Sequence, residues 1–242
     1  MINFPERLAT DYYFLQAKEK TAKSRTSSIL RLQRLLSPYL PLRCHEALDL
    51  GAGQGELVQA LIRLGCTQVK GIEQSPSQVS AALRHGFLGI VQSDALTYLT
   101  QQPDASYDLI TCFDVFEHLS IADCERWFRE IFRTLRPGGR LIGHVPNGLN
   151  PFVGSVYLAD LTHVWCPVPE SIRVFCRASG FVWHGAFDNV GASRGVSGLF
   201  RSFCWQILRY IYATFTTLET GANGYCLPWS RTFLFVAERP GL

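Results

Sequence analysis

Ala47-Leu48-Asp49-Leu50-Gly51-Ala52-Gly53-Gln54-Gly55 is the stretch from which the rest of the chain can be read. The apolar run Ala47 to Leu50 stops at glycines, which marks a buried strand. Glycine then falls at every second position, and Glu56 to Leu64 carries Leu57, Leu61 and Leu64 at helical spacing. In such a strand–loop–helix unit, glycines let the backbone come against a bulky ligand and take positive φ. Dinucleotide-binding loops are spaced GxGxxG, with a pyrophosphate at the helix N-terminus. Here the spacing is GxGxG, with Asp49 just before it. A carboxylate at that strand end is poorly placed beside a pyrophosphate and well suited to a ligand bearing an ammonium group. The spacing therefore disfavours a nicotinamide oxidoreductase.

Downstream the alternation continues. Gln68 to Glu73 reads as a strand, and Pro76 to His85 as a helix opened by Ser75 as N-cap and Pro76 in its first turn. Leu88 to Gln92 is a strand, Ala95 to Gln101 a short helix, Tyr107 to Phe113 a strand and Ile121 to Leu135 a helix. Arg136-Pro137-Gly138-Gly139 reads as a turn before the strand Arg140 to Val145. Strands and helices alternating at this pace predict a doubly wound, Rossmann-like α/β sheet with ligands outside the carboxyl ends of its strands. Two acids fall at those ends. Glu73, 22 residues after Gly51, suits the ribose hydroxyls of a nucleoside, and Asp94 suits an adenine amino group. Helix capping is the competing structural role for both.

The flanks are less regular. Thr10 to Leu36 reads as helix, ended by Pro38 and Pro41. From Pro146 the rhythm breaks into a loop-like segment, a helix from Glu170 to Ala178, a strand from Gly180 to Asp188, a glycine-rich stretch and an amphipathic helix from Leu199 to Phe215. Arg231 to Glu238 closes as a final strand. The expected organisation is an N-terminal helical segment, 1–42, and one domain, 43–242, with insertions on the acceptor side at about 146–168 and 189–228.

Composition narrows the class. Of the 242 residues, 47% are hydrophobic and 18% charged, enough apolar side chains for a sizeable core. A net charge of +3 with no concentrated basic face argues against nucleic acid. No two of the eight cysteines stand at CxxC spacing, so no zinc site is signalled; no carboxylate cluster is visible either, no metal ligand is named, and whether a divalent metal takes part is left open. Reduced cysteines, no signal-peptide pattern and no apolar run of membrane-spanning length suggest a cytoplasmic protein. For Leu199 to Phe215 two settings compete. Peripheral membrane contact would use Arg194, Arg201 and Arg209 on the polar face. Packing of the apolar face into the core over the acceptor site is favoured, because that polar face carries too few cations. The oligomeric state is left open.

The residues from 47 to 145 resemble the core of class I S-adenosylmethionine (SAM)-dependent methyltransferases. Asp49 to Gly55 is similar to that family's first motif, Gly71-Ile72-Glu73 to its second-strand motif and Ser93-Asp94-Ala95 to its third. Leu135 to Leu141 resembles its LxPGGxL turn before the fifth strand. The resemblance implies seven strands, with Gly180–Asp188 and Arg231–Glu238 as a last antiparallel pair. It also implies SAM as cofactor, held by Asp49, Gly51, Ala52, Gly53, Gly55, Glu73, Gln74, Asp94, Ala95, Phe113, Asp114 and His118. Glu117-His118-Leu119, after the fourth strand, resembles members acting on small molecules, and the Asn/Asp-Pro-Pro-Tyr signature of base N-methyltransferases is absent.

Val145-Pro146-Asn147-Gly148 and Tyr157-Leu158-Ala159-Asp160-Leu161-Thr162-His163 further resemble methyltransferases encoded with bacterial O-antigen and other polysaccharide genes. Pro167 and Val168 stand where that group tends to carry an aromatic–Thr pair. This resemblance implies O-methylation of a saccharide or another small-molecule hydroxyl. The alternatives are a quinone, lipid or secondary-metabolite acceptor, or a SAM-binding protein without turnover. Methyl transfer to a hydroxyl requires the nucleophile about 3 Å from the donor methyl and a base for its proton. His163 is the candidate base and Asp160 its orienting partner, with Asn147 and Tyr157 expected to line the acceptor pocket.

Overall fold

The computed structural model describes residues 21–189 and 195–241. The start of the N-terminal helix reading and the stretch 190–194, Arg194 included, lie outside the described residues. Along the chain run α1 (Ala22–Leu36), β1 (Glu46–Leu50), α2 (Glu56–Arg63), β2 (Gln68–Glu73), α3 (Pro76–Arg84), β3 (Ile90–Gln92), α4 (Ala95–Thr100) and β4 (Tyr107–Phe113). A 3-10 turn (Phe116–His118) follows, then α5 (Ile121–Thr134), β5 (Leu135–Pro146), α6 (Gly154–Tyr157), α7 (Pro169–Ala178), β6 (Val182–Asp188), α8 (Gly195–Thr220) and β7 (Thr232–Glu238).

The strands form one seven-stranded sheet in the order β3-β2-β1-β4-β5-β7-β6. β1 to β5 pair in parallel, and β7 is antiparallel to both β5 and β6. The doubly wound prediction and its antiparallel pair are therefore met. The winding reverses between β1 and β4, which opens a crevice at their carboxyl ends.

Apolar side chains pack on both faces of the sheet. On one face Phe116, Phe128 and Phe235 join Leu48, Leu50 and Ile110; on the other Leu109, Ile142 and Leu234 join Leu57 and Leu61. α1 buries Ile29, Leu32 and Leu36 in this second cluster, so this helix shares the domain's core. Capping follows the sequence in part. Thr21, Asp94 and Ser120 accept backbone N–H bonds at the starts of α1, α4 and α5. Ser75 occupies the N-cap of α3, but its hydroxyl meets Ser77 instead of the helix backbone.

Four expectations are corrected. The Pro-Gly-Gly turn lies inside β5: Leu135 pairs with Tyr107 and Arg140 with Leu109, and the residues between bulge out with Gly138 at φ +78°. β3 begins at Ile90, not Leu88. Cys44 and Cys66 are joined as a disulfide instead of standing reduced. Each precedes by two residues a member of the register pair Glu46–Gln68, so parallel pairing of β1 and β2 brings them side by side. Finally, α8 does not bury the apolar face it was expected to pack over the acceptor site. Leu199, Phe200, Phe203, Ile207, Ile211, Phe215 and Leu218 are exposed, while Trp205, Tyr212 and Ala213 face inward, Tyr212 against Trp229. No described helix is long and apolar enough to cross a membrane.

Candidate active site

A cavity of about 1070 Å³ lies outside the carboxyl ends of the strands. One side is lined by Gly51, Gly53, Glu73, Gln74, Asp94 and Ala95, from the loops after β1, β2 and β3. Both loop glycines need left-handed backbone, with φ +76° at Gly51 and +53° at Gly53. A Cβ on Gly53 would meet nothing within 4 Å, so the backbone there presents open space to a ligand. Glu73 braces the loop. Its Oε2 accepts from Gly53 N–H at 2.9 Å and its Oε1 from Ser75 N–H at 2.8 Å. Each carboxylate oxygen keeps a lone pair for ribose hydroxyls. Asp94 Oδ1 accepts from Thr97 N–H at 2.8 Å, so Asp94 both caps α4 and faces the cavity.

Phe113, Asp114, Val115, Glu117 and His118 supply the floor from the end of β4. Asp114 takes φ +54° and accepts from His144 Nδ1 at 2.7 Å. Desolvation opposes its charge, but the adjacent imidazole prevails and holds the carboxyl below its usual range. Phe116 anchors the following turn by stacking in the core on Phe128.

The opposite side comes from the insertion at 146–168, which is tied to the β4 turn by two hydrogen bonds to backbone carbonyls of that turn. Val164 N–H donates to Glu117 O at 2.8 Å, and Trp165 Nε1–H donates to Phe116 O at 2.9 Å. These ties set His163 against His118, ring centroids 4.7 Å apart. His163 Nδ1 lies 2.8 Å from the carbonyl of Tyr157, which requires a proton on Nδ1 and leaves Nε2 a bare acceptor. Nε2 lies 3.6 Å from Asp160 Oδ2 and 3.9 Å from Glu117 Oε1. Thr162 has one hydroxyl proton, which goes to Asp160 Oδ1 at 2.6 Å. His118 Nδ1–H therefore donates to Thr162 Oγ1, at 2.8 Å. Burial, followed by the neighbouring His163, lowers the His118 pKa. Glu117, only 1% exposed, is pushed well up by burial and then by Asp114 and Asp160.

Other site residues sit elsewhere than expected. Asp49 is buried behind the glycine loop, not on the cavity wall. Burial, with a smaller push from Glu73, raises its carboxyl to about 7 although Thr111 donates to it. Ala52 and Gly55 shape the loop from behind the wall. Asn147, expected to line the acceptor pocket, is fully buried instead; its amide ties β5 to the carbonyls of Pro228 and Ser230. Tyr157, also expected to line the acceptor pocket, is not on the cavity wall; its ring stacks on the His163 imidazole, centroids 5.3 Å apart. His144, Val115, Leu119 and Trp127 line the cavity without having been singled out. His144 ends a strand like the predicted acids, but strand ends alone do not show which side chain turns inward.

Residues 48–143 match a family described as a methyltransferase domain. A SAM-dependent methyltransferase from Archaeoglobus fulgidus superposes with TM-score 0.67 and 21% identity, over 94% of this chain and 99% of that one. A Haemonchus contortus phosphoethanolamine N-methyltransferase bound to S-adenosyl-L-methionine gives TM-score 0.56 and 19% identity, over 89% of this chain and 52% of that one. The architecture around the domain is thus the class I methyltransferase fold. Ubiquinone biosynthesis O-methyltransferases of Xanthomonas oryzae pv. oryzae and Xylella fastidiosa are 34% and 33% identical over 135 residues, 52% of this chain and 55% and 54% of those proteins. The chain thus spans about half the length of the curated relatives it matches. The residues present fit S-adenosylmethionine: an open glycine cradle at Gly53, a braced carboxylate at Glu73 and a capping carboxylate at Asp94 share one wall.

Proposed function

We propose that the chain is an O-methyltransferase that moves the methyl of SAM to a hydroxyl of a small-molecule acceptor. The observation that carries this reading is one cavity with two unlike walls. The glycine–Glu73–Asp94 side suits an adenosyl group, and facing it the Glu117–His118–Asp160–His163 side offers proton acceptors. SAM supplies a methyl already activated by its sulfonium. The chain's part is to bind, align and deprotonate. Gly51 and Gly53 admit the cofactor, Glu73 and Asp94 accept its hydroxyl and amino protons, and Val115 and Leu119 offer apolar surface. His163 Nε2 takes the acceptor's proton, with Asp160 Oδ2 beside it to stabilise the imidazolium. Alignment carries much of the rate in such a displacement.

Two acceptor classes have support. The Tyr157–His163 run favours a saccharide hydroxyl; the names of the relatives matched at 34% identity favour a quinone precursor. Incubation with SAM labelled on its methyl separates them, using one panel of nucleotide-sugars and oligosaccharides and one of phenolic quinone precursors. Label in neither panel, with no calorimetric heat from S-adenosylhomocysteine (SAH), would overturn the reading.

A further inference from the structure

No metal ligand set is visible in the order of residues along the chain, yet the fold assembles one. One Glu117 carboxylate oxygen and one ring nitrogen each from His118 and His163 lie within 4.8 Å of one another. Bonds of about 2.0–2.2 Å in a tetrahedral or octahedral shell separate ligand atoms by roughly 3–4 Å, so small side-chain shifts would close this set on an ion. We infer that Glu117, His118 and His163 bind a first-row divalent cation on the acceptor side of the cavity, with Asp160 as a fourth donor. The inference rests on the acceptor reading above and changes the role of His163 from free base to ligand.

Three observations support it. First, Glu117 is almost wholly buried, and its Oε2 has no hydrogen-bond partner among the described residues. Buried carboxylate oxygens are costly to leave unpaired. At 3.9 Å the contact of its other oxygen with His163 Nε2 is too long for a hydrogen bond. Second, the outer contacts of the histidines are those of metal ligands. Tyr157 O takes the Nδ1 proton of His163 and fixes its tautomer, leaving Nε2 toward Glu117 and Asp160. Third, the donors are two imidazoles with carboxylates, a mixed nitrogen and oxygen set that suits zinc, cobalt, iron or manganese better than calcium. Glu117, His118, Asp160 and His163 all line the cavity, so the ion would keep a face open to the acceptor oxygen.

The test is direct metal binding by the tag-free full chain, stripped with chelator and titrated with Co²⁺ while visible absorption is recorded. The expected result is one saturable Co²⁺ per chain, displaced by Zn²⁺, with a ligand-field band and no thiolate charge-transfer band. Glu117→Gln and His163→Ala should each weaken binding by about 10-fold or more. Absence of saturable binding by the unmodified protein overturns the inference without reliance on any variant. A thiolate band, which would place the ion at cysteines, also overturns it, as do folded variants that bind like the parent. SAH calorimetry on the same samples separates the two claims. SAH heat without Co²⁺ binding removes the metal and leaves the methyltransferase reading. Co²⁺ binding without SAH heat removes that reading and leaves the metal site.

Discussion

Thr111 Oγ1 donates to Asp49 Oδ1 at 2.7 Å, across the seam where β1 and β4 run side by side and the winding of the sheet reverses. Both side chains are buried. The carboxyl before the glycine loop is thus held by the neighbouring strand and supports the loop from behind. Thr111→Val preserves shape and strand propensity but removes the donor. The expected cost is about 1–3 kcal/mol in chemical denaturation, the penalty for an unsatisfied buried polar group. A cost below about 0.5 kcal/mol would mean that the contact does not support the loop.

Asp49 also gives stability a pH dependence of definite sign. Its carboxyl titrates at about 7 in the folded protein against 3.8 for the free side chain. Between those values the native state holds a proton that the unfolded chain has lost, so stability is highest near pH 4 and falls as pH rises through 7. The contribution is on the order of 2–4 kcal/mol. Asp49→Asn should remove much of that slope in urea melts at a series of pH values. Raised Glu117 contributes in the same direction and leaves a residual slope.

Two glycines should fail in different ways. A Cβ on Gly71 would lie 2.5 Å from Ile90 Cδ1 and 2.6 Å from Ala52 Cβ, so Gly71→Ala overpacks the core and should cost about 1–3 kcal/mol. Gly53 has room for a Cβ but φ +53°, so Gly53→Ala should cost only about 1 kcal/mol. It should instead reduce SAH affinity by about 10-fold or more, because the added methyl projects toward the cofactor wall. Thermal melts and calorimetry on both variants check the contrast.

Glu73→Gln tests the brace. The amide keeps one acceptor for Gly53 or Ser75 but turns a donor toward the other N–H. SAH affinity should fall by about 10-fold, with Tm lowered by a few degrees. Unchanged SAH binding would show that the carboxylate holds the loop and not the ligand.

The outer face of α8 supplies a further check. Phe203 is 63% exposed and Ile207 47% exposed, so Phe203→Ser and Ile207→Ser should each change unfolding free energy by no more than about 0.5 kcal/mol. Core packing, as the amphipathic pattern suggested, would make each cost several times more. The urea midpoint distinguishes the two.

The sheet and the glycine-loop wall of the cavity were legible because their signals are local. Gly51 and Gly53 mark the loop, Glu73 and Asp94 sit where strands end, and apolar runs against helical stripes set the alternation. Other features were misread because period and composition do not say what covers a surface. The stripe of α8 has the spacing of a buried face yet points outward. Cys44 and Cys66 are 22 residues apart and meet only through strand register.

The acceptor side depended on tertiary contacts throughout. Sequence alone determined a doubly wound domain with a glycine loop and two strand-end acids on one wall of its cavity, since each of those residues is placed within its own strand–turn–helix unit. Only folding brought Glu117 and His118, on the β4 turn, to Asp160 and His163, more than forty residues away, through the Val164–Glu117 and Trp165–Phe116 bonds. Only folding moved Asn147 and Asp49 off the wall, because burial depends on which elements pack together and not on the neighbours of a residue in the chain.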